Sequence, residues 1–193
     1  MSIYIAMSLY ALSMSLSPGP VNLMALTSGI NQGLPKSIPF VTGASVGFIA
    51  LFFLVGIGFG QLTLLLPSLM VILKVSGIAF MLYVSYLLFN ASSNVSLSSQ
   101  YNTTFWQGAI MQWLNPKAWM ASTAAVSAFE LNIFANLVIF CGIYLVICFT
   151  CILAWAGAGN LLQHWLKQEQ RMAIFNKTMA VVLALVAMTV LLI

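Results

Sequence analysis

A proline-glycine-proline sequence interrupts the first apolar segment of the chain. This segment runs from about Ile3 to Ile30, and its length and polarity are typical of a membrane-spanning helix. Pro18, Gly19 and Pro20 fall in its middle, where each proline removes a backbone N–H donor and clashes with the preceding turn. Carbonyl groups about four residues upstream therefore lose their helical partners. Such groups are tolerated at membrane depth only against protein or a wet cavity, so the break predicts a binding site.

The composition places the chain in a membrane. Of its 193 residues, 62% are hydrophobic and 4% are charged, whereas soluble domains carry about a quarter charged residues. We therefore predict an all-α integral membrane protein made of a single domain, residues 1–193. Six basic and two acidic residues give a net charge of +4 and form no patch, which excludes nucleic acid as a partner. No basic residue precedes the first apolar run, so no cleaved signal peptide is predicted.

Six apolar segments predict six transmembrane helices. Their boundaries are about 3–31, 37–66, 69–89, 105–127, 132–162 and 173–193. A linker of about 90–104, rich in serine, asparagine and threonine, separates two halves of three segments each, about 1–90 and 105–193. Because the number of spans in each half is odd, the halves have opposite orientations. We therefore predict two inverted three-helix repeats whose first helices, one and four, are broken.

The second break lies at Asn115-Pro116-Lys117, in the fourth segment. Paired interruptions at corresponding positions of two halves indicate a transporter site between inverted repeats. The helix that begins after each break presents free N–H groups and a positive dipole end, which suit a carboxylate. The carbonyls freed upstream of the first break, near Met14 and Leu16, suit an ammonium group.

Three polar side chains accompany the breaks. Asn22 and Asn115 each add an amide with donors and acceptors, and Lys117 is the only charge well inside a span. A charge at that depth is costly and usually faces a cavity or a partner. Plain proline kinks, with a Lys117 side chain that snorkels to the interface, are the alternative. The predicted substrate-binding residues, suited to a small zwitterion, are Pro18, Gly19, Pro20, Asn22, Asn115, Pro116 and Lys117.

Glycines and cysteines inside the spans are interpreted as packing residues. The glycines recur at spacings typical of close helix contacts. The cysteines share one apolar segment and suggest buried packing in preference to a disulfide framework or a soft-metal site. The residues concerned are Gly43, Gly47, Gly56, Gly58 and Gly60, and Cys141, Cys148 and Cys151. No catalytic residue, metal site or cofactor is predicted.

Basic residues predict the orientation. With six spans, the loops after spans one, three and five share a side. They hold Lys36, Lys167, Arg171 and Lys177, whereas the opposite side holds Lys74 and Glu130. The positive-inside rule then places those loops in the cytoplasm and both termini on the periplasmic or extracellular side.

Two short sequences resemble signatures of the LysE/RhtB amino-acid exporter family. Ser17-Pro18-Gly19-Pro20 with Asn22 is similar to the start of that family, and Asn115-Pro116-Lys117-Ala118 resembles its second signature. Gly33, Gly43 and Gly47 downstream of the first signature agree as well. The chain departs from the family at Val21, where asparagine is common, and at Pro35-Lys36-Ser37, which lacks the second glycine of the usual loop.

The resemblance implies a multi-pass protein of the bacterial inner membrane that expels amino acids or their derivatives. Cysteine, O-acetylserine and homoserine/threonine exporters are the nearest types. The implied partners are a small amino-acid substrate, the lipid bilayer and a coupling ion such as the proton, and a homo-oligomer is left open. The sequence carries no nucleotide-binding loop, so a secondary transporter is predicted. Since no carboxylate lies inside a span, the coupling group is left open.

Two other functions stay open at this point. A heavy-metal or cation exporter of the same superfamily would use the cysteines as soft ligands, although the spans lack carboxylates and histidines. An intramembrane serine protease would use Ser45, in Gly43-Ala44-Ser45-Val46-Gly47, as its nucleophile and His164 as its base.

Overall fold

The protein is described by a computed structural model that covers residues 3–59, 67–90, 103–129, 131, 133–165 and 169–192. Within these ranges the chain forms eight α-helices and no strand, which confirms the all-α prediction for this part of the protein. The helices are α1 (Ile3–Leu16), α2 (Pro20–Gln32), α3 (Leu34–Leu54), α4 (Pro67–Phe89), α5 (Phe105–Trp113), α6 (Pro116–Ala128), α7 (Phe134–Leu162) and α8 (Glu169–Leu192). A π-helical stretch, Val55–Phe59, continues α3.

The eight helices correspond to the six apolar segments, because the first and fourth segments each contain two short helices. Three helical stretches of the described ranges are long and apolar enough to cross a membrane: Leu34–Gly58, Phe134–Leu162 and Gln170–Met188. The helix α1 is apolar but shorter. Six complete spans and the inverted repeat stay predictions. Most of the linker, with Gly60, Glu130 and Lys167, lies outside the described residues, as does the side chain of Lys74.

The helix α7 packs against three of the others. It contacts α1, α2 and α3, while α5 packs on α3 and α4 packs on α8. Aromatic rings fill the space beside α7: Phe140 and Tyr144 face Phe52 of α3 and Tyr10 of α1, with ring centroids 5.3 to 6.5 Å apart. Such rings bury a large apolar area in edge-to-face contacts, so this cluster fixes the positions of α1 and α3 relative to α7.

Glycines bring α5 close to α3. A Cβ atom added at Gly43 would overlap the backbone of Phe105, and one added at Gly47 would crowd Ala109. Gly108 of α5 lies in the same way against the backbone of Phe40. The packing interpretation is therefore confirmed for Gly43 and Gly47.

The glycines at the end of α3 differ from one another. Gly56 lies against the Leu137 side chain, as a packing residue should. For Gly58 the packing interpretation stays a prediction, since no atom of the described residues lies within 4 Å of a Cβ added there. Its φ of 116° is a conformation that favours glycine, so Gly58 serves the backbone direction at the end of the π-helical stretch.

The helices α2 and α7 also meet through glycines. A Cβ added at Gly29 would overlap the backbone of Ala156, and one added at Gly159 would overlap that of Leu26. We expect Gly29→Ala to lower the melting temperature of the purified protein, because overpacking a tight contact costs about 1–3 kcal/mol. Gly157→Ala is the matched control on α7, where an added Cβ meets no atom of the described residues within 4 Å. Equal melting temperatures for the two variants would contradict this contact.

A buried polar cluster ties the second half of the chain to the end of α2. Ser28 Oγ lies 2.7 Å from Ser37 Oγ and 2.8 Å from Thr103 Oγ1. Gln32 donates through Nε2 to both Ser28 and Thr103. Buried hydroxyls require such partners. Because Thr103 comes just before α5, the cluster places the start of the second broken segment beside the first.

Candidate functional site

The first break separates α1 from α2 at Ser17-Pro18-Gly19. The helix α1 ends at Leu16, and α2 begins at Pro20. Proline is favoured at a first helical position because the N–H that it lacks would have no helical partner there. The break thus lies where the sequence predicts it.

The Asn22 side chain bonds two of the carbonyls freed by this break. Its Nδ2 atom donates to Ser15 O at 2.8 Å and to Ser17 O at 2.9 Å, and the residue is buried. Both amide hydrogens are therefore used within the chain. A ligand would meet Asn22 through its Oδ1 atom, which is a hydrogen-bond acceptor.

The two carbonyls predicted to be free also have side-chain donors. Ser17 Oγ donates to Met14 O at 3.1 Å, and Trp155 Nε1 of α7 donates to Leu16 O at 3.3 Å. Side chains thus replace the helical donors that the prolines remove, as buried backbone groups require. The bond from Trp155 also fixes the break against α7.

The second break separates α5 from α6. Asn115 is the N-cap of α6: its Oδ1 accepts a hydrogen bond from Lys117 N at 3.1 Å, and Pro116 takes the first helical position. Asn115 Nδ2 also donates to Gln112 Oε1 at 3.4 Å. Asn115 therefore stabilises the start of α6, which is a structural role beside the predicted binding role.

The Lys117 side chain connects the two breaks. It lies in the first turn of α6, and its Nζ atom donates to Ser17 O at 2.8 Å, in the first break. The side chain passes 3.6 Å from the position that a Cβ on Gly19 would take. Ser17 O accepts from Asn22 as well, so one carbonyl holds both an amide and an ammonium.

A cavity of about 40 Å³ lies between the breaks. One water needs about 10–15 Å³, so the space holds only a few waters in this conformation. Six of the helices contribute to its wall: α1, α2, α3, α5, α6 and α7. The lining residues are Met14, Ser15, Gly19, Val21, Asn22, Phe48, Gln112, Asn115, Lys117, Ala118, Ala121, Tyr144, Cys148 and Ile152.

Four of the seven predicted substrate-binding residues line this cavity. They are Gly19, Asn22, Asn115 and Lys117. The three prolines, Pro18, Pro20 and Pro116, shape the breaks but do not contribute to the wall. Substrate contact by any of the seven stays a prediction.

Sequence reasoning missed four polar wall residues: Ser15, Gln112, Tyr144 and Cys148. The sequence does give an indication for Gln112, because it is a polar residue three positions before Asn115 in an apolar segment. Tyr144 and Cys148 lie four residues apart and so share one face of α7. Nothing in the sequence shows that this face of α7 lies next to both breaks. Cys148 is buried, as predicted, and it also lines the cavity.

The electrostatics of the cavity wall favour an anionic group. Among the described residues, Lys117 is the one charged side chain on this wall, and none of them brings a carboxylate to it. The N-termini of α2 and α6 reach the same cavity through Gly19 and Asn115, and each adds a positive dipole end. A carboxylate would therefore be attracted, while an ammonium group has only carbonyl, amide and hydroxyl oxygens as acceptors.

Of the residues of the two alternative functions, only Cys148 lines the cavity. Ser45 is fully buried and donates to Val41 O of its own helix at 2.8 Å, whereas His164 is exposed after the end of α7. The three cysteines are buried and free. In the part of the chain that the structure describes, no three His, Cys, Asp or Glu side chains group together as metal ligands.

Two broken helices around a small, positively charged cavity define a membrane transporter of the broken-helix class. The family model of LysE type translocators matches residues 12–193, and the chain belongs to this family. The resemblance seen in the sequence is confirmed. The protein is a transporter and not an enzyme, so the protease interpretation of Ser45 and His164 is wrong.

Curated relatives agree with this assignment. The chain is similar to the cysteine/O-acetylserine efflux proteins of Escherichia coli (strain K12) and Shigella sonnei (strain Ss046). Each is 26% identical over 166 residues, covering 84% of this chain and 85% of the relative. No solved structure matches the chain.

Proposed function

We propose that the protein is a secondary transporter that exports small neutral amino acids or their derivatives from the cytoplasm across the bacterial inner membrane. The observation that carries this proposal is the bond from Lys117 Nζ to Ser17 O, which joins the two breaks at the cavity. The names of the efflux relatives support both the substrate class and the direction of transport. Exchange with protons or another ion supplies the energy, because the sequence has no nucleotide-binding loop.

The site offers separate places for the two charges of an amino acid. The Lys117 ammonium and the N-terminus of α6 suit the carboxylate. Ser17 O and Asn22 Oδ1 suit the ammonium group. In the structure the Lys117 ammonium itself takes the place at Ser17 O, at 2.8 Å. A bound amino acid would draw Lys117 to its carboxylate and put its own ammonium group at this carbonyl.

The cavity wall argues for substrates with neutral side chains. A lysine or arginine substrate would bring a second positive charge next to Lys117, and the lining residues that the structure describes include no carboxylate to pair with it. An unpaired charge in a buried site is costly. We therefore assign this member of the family to neutral substrates in preference to basic ones.

Overexpression tests the proposal. Cells that overproduce the protein should accumulate a small neutral amino acid, such as serine, cysteine or threonine, or O-acetylserine, outside the cell at several times the level of vector controls. Lysine and arginine should stay at control levels, because the wall offers them no acceptor charge. Amino-acid analysis of the medium is the measurement. Accumulation of lysine alone, or of no amino acid, would contradict the proposal.

We also propose that both termini face the periplasm. Contacts in the structure support a common side for the loops after spans one, three and five. Leu34 N, at the start of α3, bonds Asn160 Oδ1 near the end of α7 at 3.2 Å, and Lys177 Nζ of α8 lies 5.7 Å from the ring of Phe89 at the end of α4. Lys36 and Arg171 lie in the first turns of α3 and α8, next to the same loops.

Reporter fusions test this orientation. Alkaline phosphatase fused after Ile193 should be active, because this enzyme folds only outside the cytoplasm. A green fluorescent protein exported in the unfolded state at the same position should be dark. Strong fluorescence together with an inactive phosphatase would show that the C-terminus faces the cytoplasm, which contradicts the proposed orientation.

A further inference from the structure

Ser15 of α1 is an unusual member of the cavity wall. It is 9% exposed, and its buried Oγ atom has no partner at normal hydrogen-bond distance among the described residues, although the polar side chains of Tyr144 and Cys148 lie near it. Buried hydroxyls are nearly always bonded, so such an atom calls for an explanation. A ligand in the cavity that Ser15 lines would supply one.

Tyr144 and Cys148 of α7 add two more uncharged polar groups to the same wall. Both are buried, at 2% and 3% exposure. Their spacing of four residues puts them on one face of the helix. Two other cysteines of α7, Cys141 and Cys151, are buried as well but do not line the cavity. The thiol at position 148 is thus the one that a substrate can meet.

The geometry points to Ser15, Tyr144 and Cys148 as the subsite for the substrate side chain, selecting a short chain that carries a hydroxyl, thiol or ester oxygen. This inference rests on the proposed function. Lys117 and Ser17 O account for the two charges of an amino acid, which leaves these neutral groups for its side chain. A substrate hydroxyl or ester oxygen would complete the hydrogen bonding of Ser15 Oγ.

The apolar part of the wall limits the length of the side chain. Phe48 and Ile152 are bulky members of the wall, whereas the apolar residues that α6 adds beside Lys117 are the small Ala118 and Ala121. The cavity of about 40 Å³ holds only a few waters in this conformation, so it must widen for any amino acid, and it must widen less for a short side chain than for a branched or aromatic one. A pocket that hydrogen-bonds a hydroxyl also rejects the analogue that lacks it, because its own polar atom is then left unpaired.

Efflux from liposomes containing the purified protein tests the subsite, with L-serine, L-alanine and L-valine as probes. Ser15→Ala should lower the ratio of serine to alanine efflux about two- to tenfold, the range of one neutral hydrogen bond. Alanine efflux itself should persist, because this change removes only an oxygen. Ser122→Ala is the matched control, since Ser122 is fully buried, bonds Ala118 O and lies off the cavity wall.

Thiol labelling gives a second readout that needs no transport. In a variant with Cys141→Ala and Cys151→Ala, methyl methanethiosulfonate should modify Cys148, and serine should protect it more than valine does. If serine is exported but Ser15→Ala keeps the wild-type ratio and serine does not protect Cys148, the subsite assignment is overturned and the proposed function stands. If wild type exports no amino acid and none protects Cys148, both are overturned.

Discussion

Lys117→Met is expected to reduce amino-acid export by about one to two orders of magnitude, the scale of a lost hydrogen bond to a charged group. The methionine keeps most of the apolar stem and removes the ammonium that attracts the substrate carboxylate. Folding should survive, because Ser17 O still accepts a hydrogen bond from Asn22 Nδ2 at 2.9 Å. Membrane insertion should be unharmed or slightly easier, since burying a charge is costly.

Two further variants make this result specific. Lys36→Met removes an exposed lysine in the first turn of α3 and should leave export near the wild-type level. Lys117→Arg should restore only part of the activity, because the planar guanidinium needs different space beside Gly19. Unchanged export by Lys117→Met at equal protein level would end the assignment of Lys117 to the site.

Replacing both Pro18 and Pro20 with alanine is expected to lower export by about tenfold or more, again the scale of a lost hydrogen bond to a charged group. The alanines restore the N–H donors at positions 18 and 20, so α1 and α2 can join in one continuous helix. The N-terminus of α2 and the carbonyl of Ser17 would then turn inward to helical partners and leave the cavity. Insertion should be retained, because a regular apolar helix inserts well.

Pro39→Ala is the matched control for this variant. Pro39 lies inside α3, where the helix continues through it, and it does not line the cavity. Its replacement should change export little. Equal export by the double variant and by Pro39→Ala, at matched protein levels, would show that the first break is an ordinary kink.

The two breaks could be predicted from sequence because their causes are local. A proline within an apolar run removes a donor wherever the chain goes. The N-cap role of Asn115 was not predicted, although asparagine is a favoured residue at that position of a helix. The close contacts at Gly43 and Gly47 were predictable from spacing. The backbone role of Gly58 was not predictable. Its positive φ occurs at the end of a helix, and the sequence spacing of this glycine looks the same as that of a packing glycine.

The cavity wall could be predicted only in part, because it is a product of tertiary packing. The reach of Lys117 to Ser17 O spans 100 positions of sequence. The face of α7 that carries Tyr144 and Cys148 is defined by the aromatic cluster and by the contact of Gly29 with Ala156. The predicted zwitterion site rests on the helix ends and on the polar side chains next to them in sequence, whereas the environment of the Ser15 hydroxyl depends on neighbouring atoms from other helices.

Efflux of labelled L-serine from liposomes containing the purified protein tests the central claim most directly, with L-lysine and the Lys117→Met variant run in parallel. The wild-type protein should release serine many times faster than protein-free liposomes, lysine should be released at the protein-free rate, and Lys117→Met should lose most of the serine flux. Lysine efflux equal to that of serine, or a serine flux that Lys117→Met leaves intact, would contradict a site in which Lys117 and the two helix breaks bind a neutral amino acid.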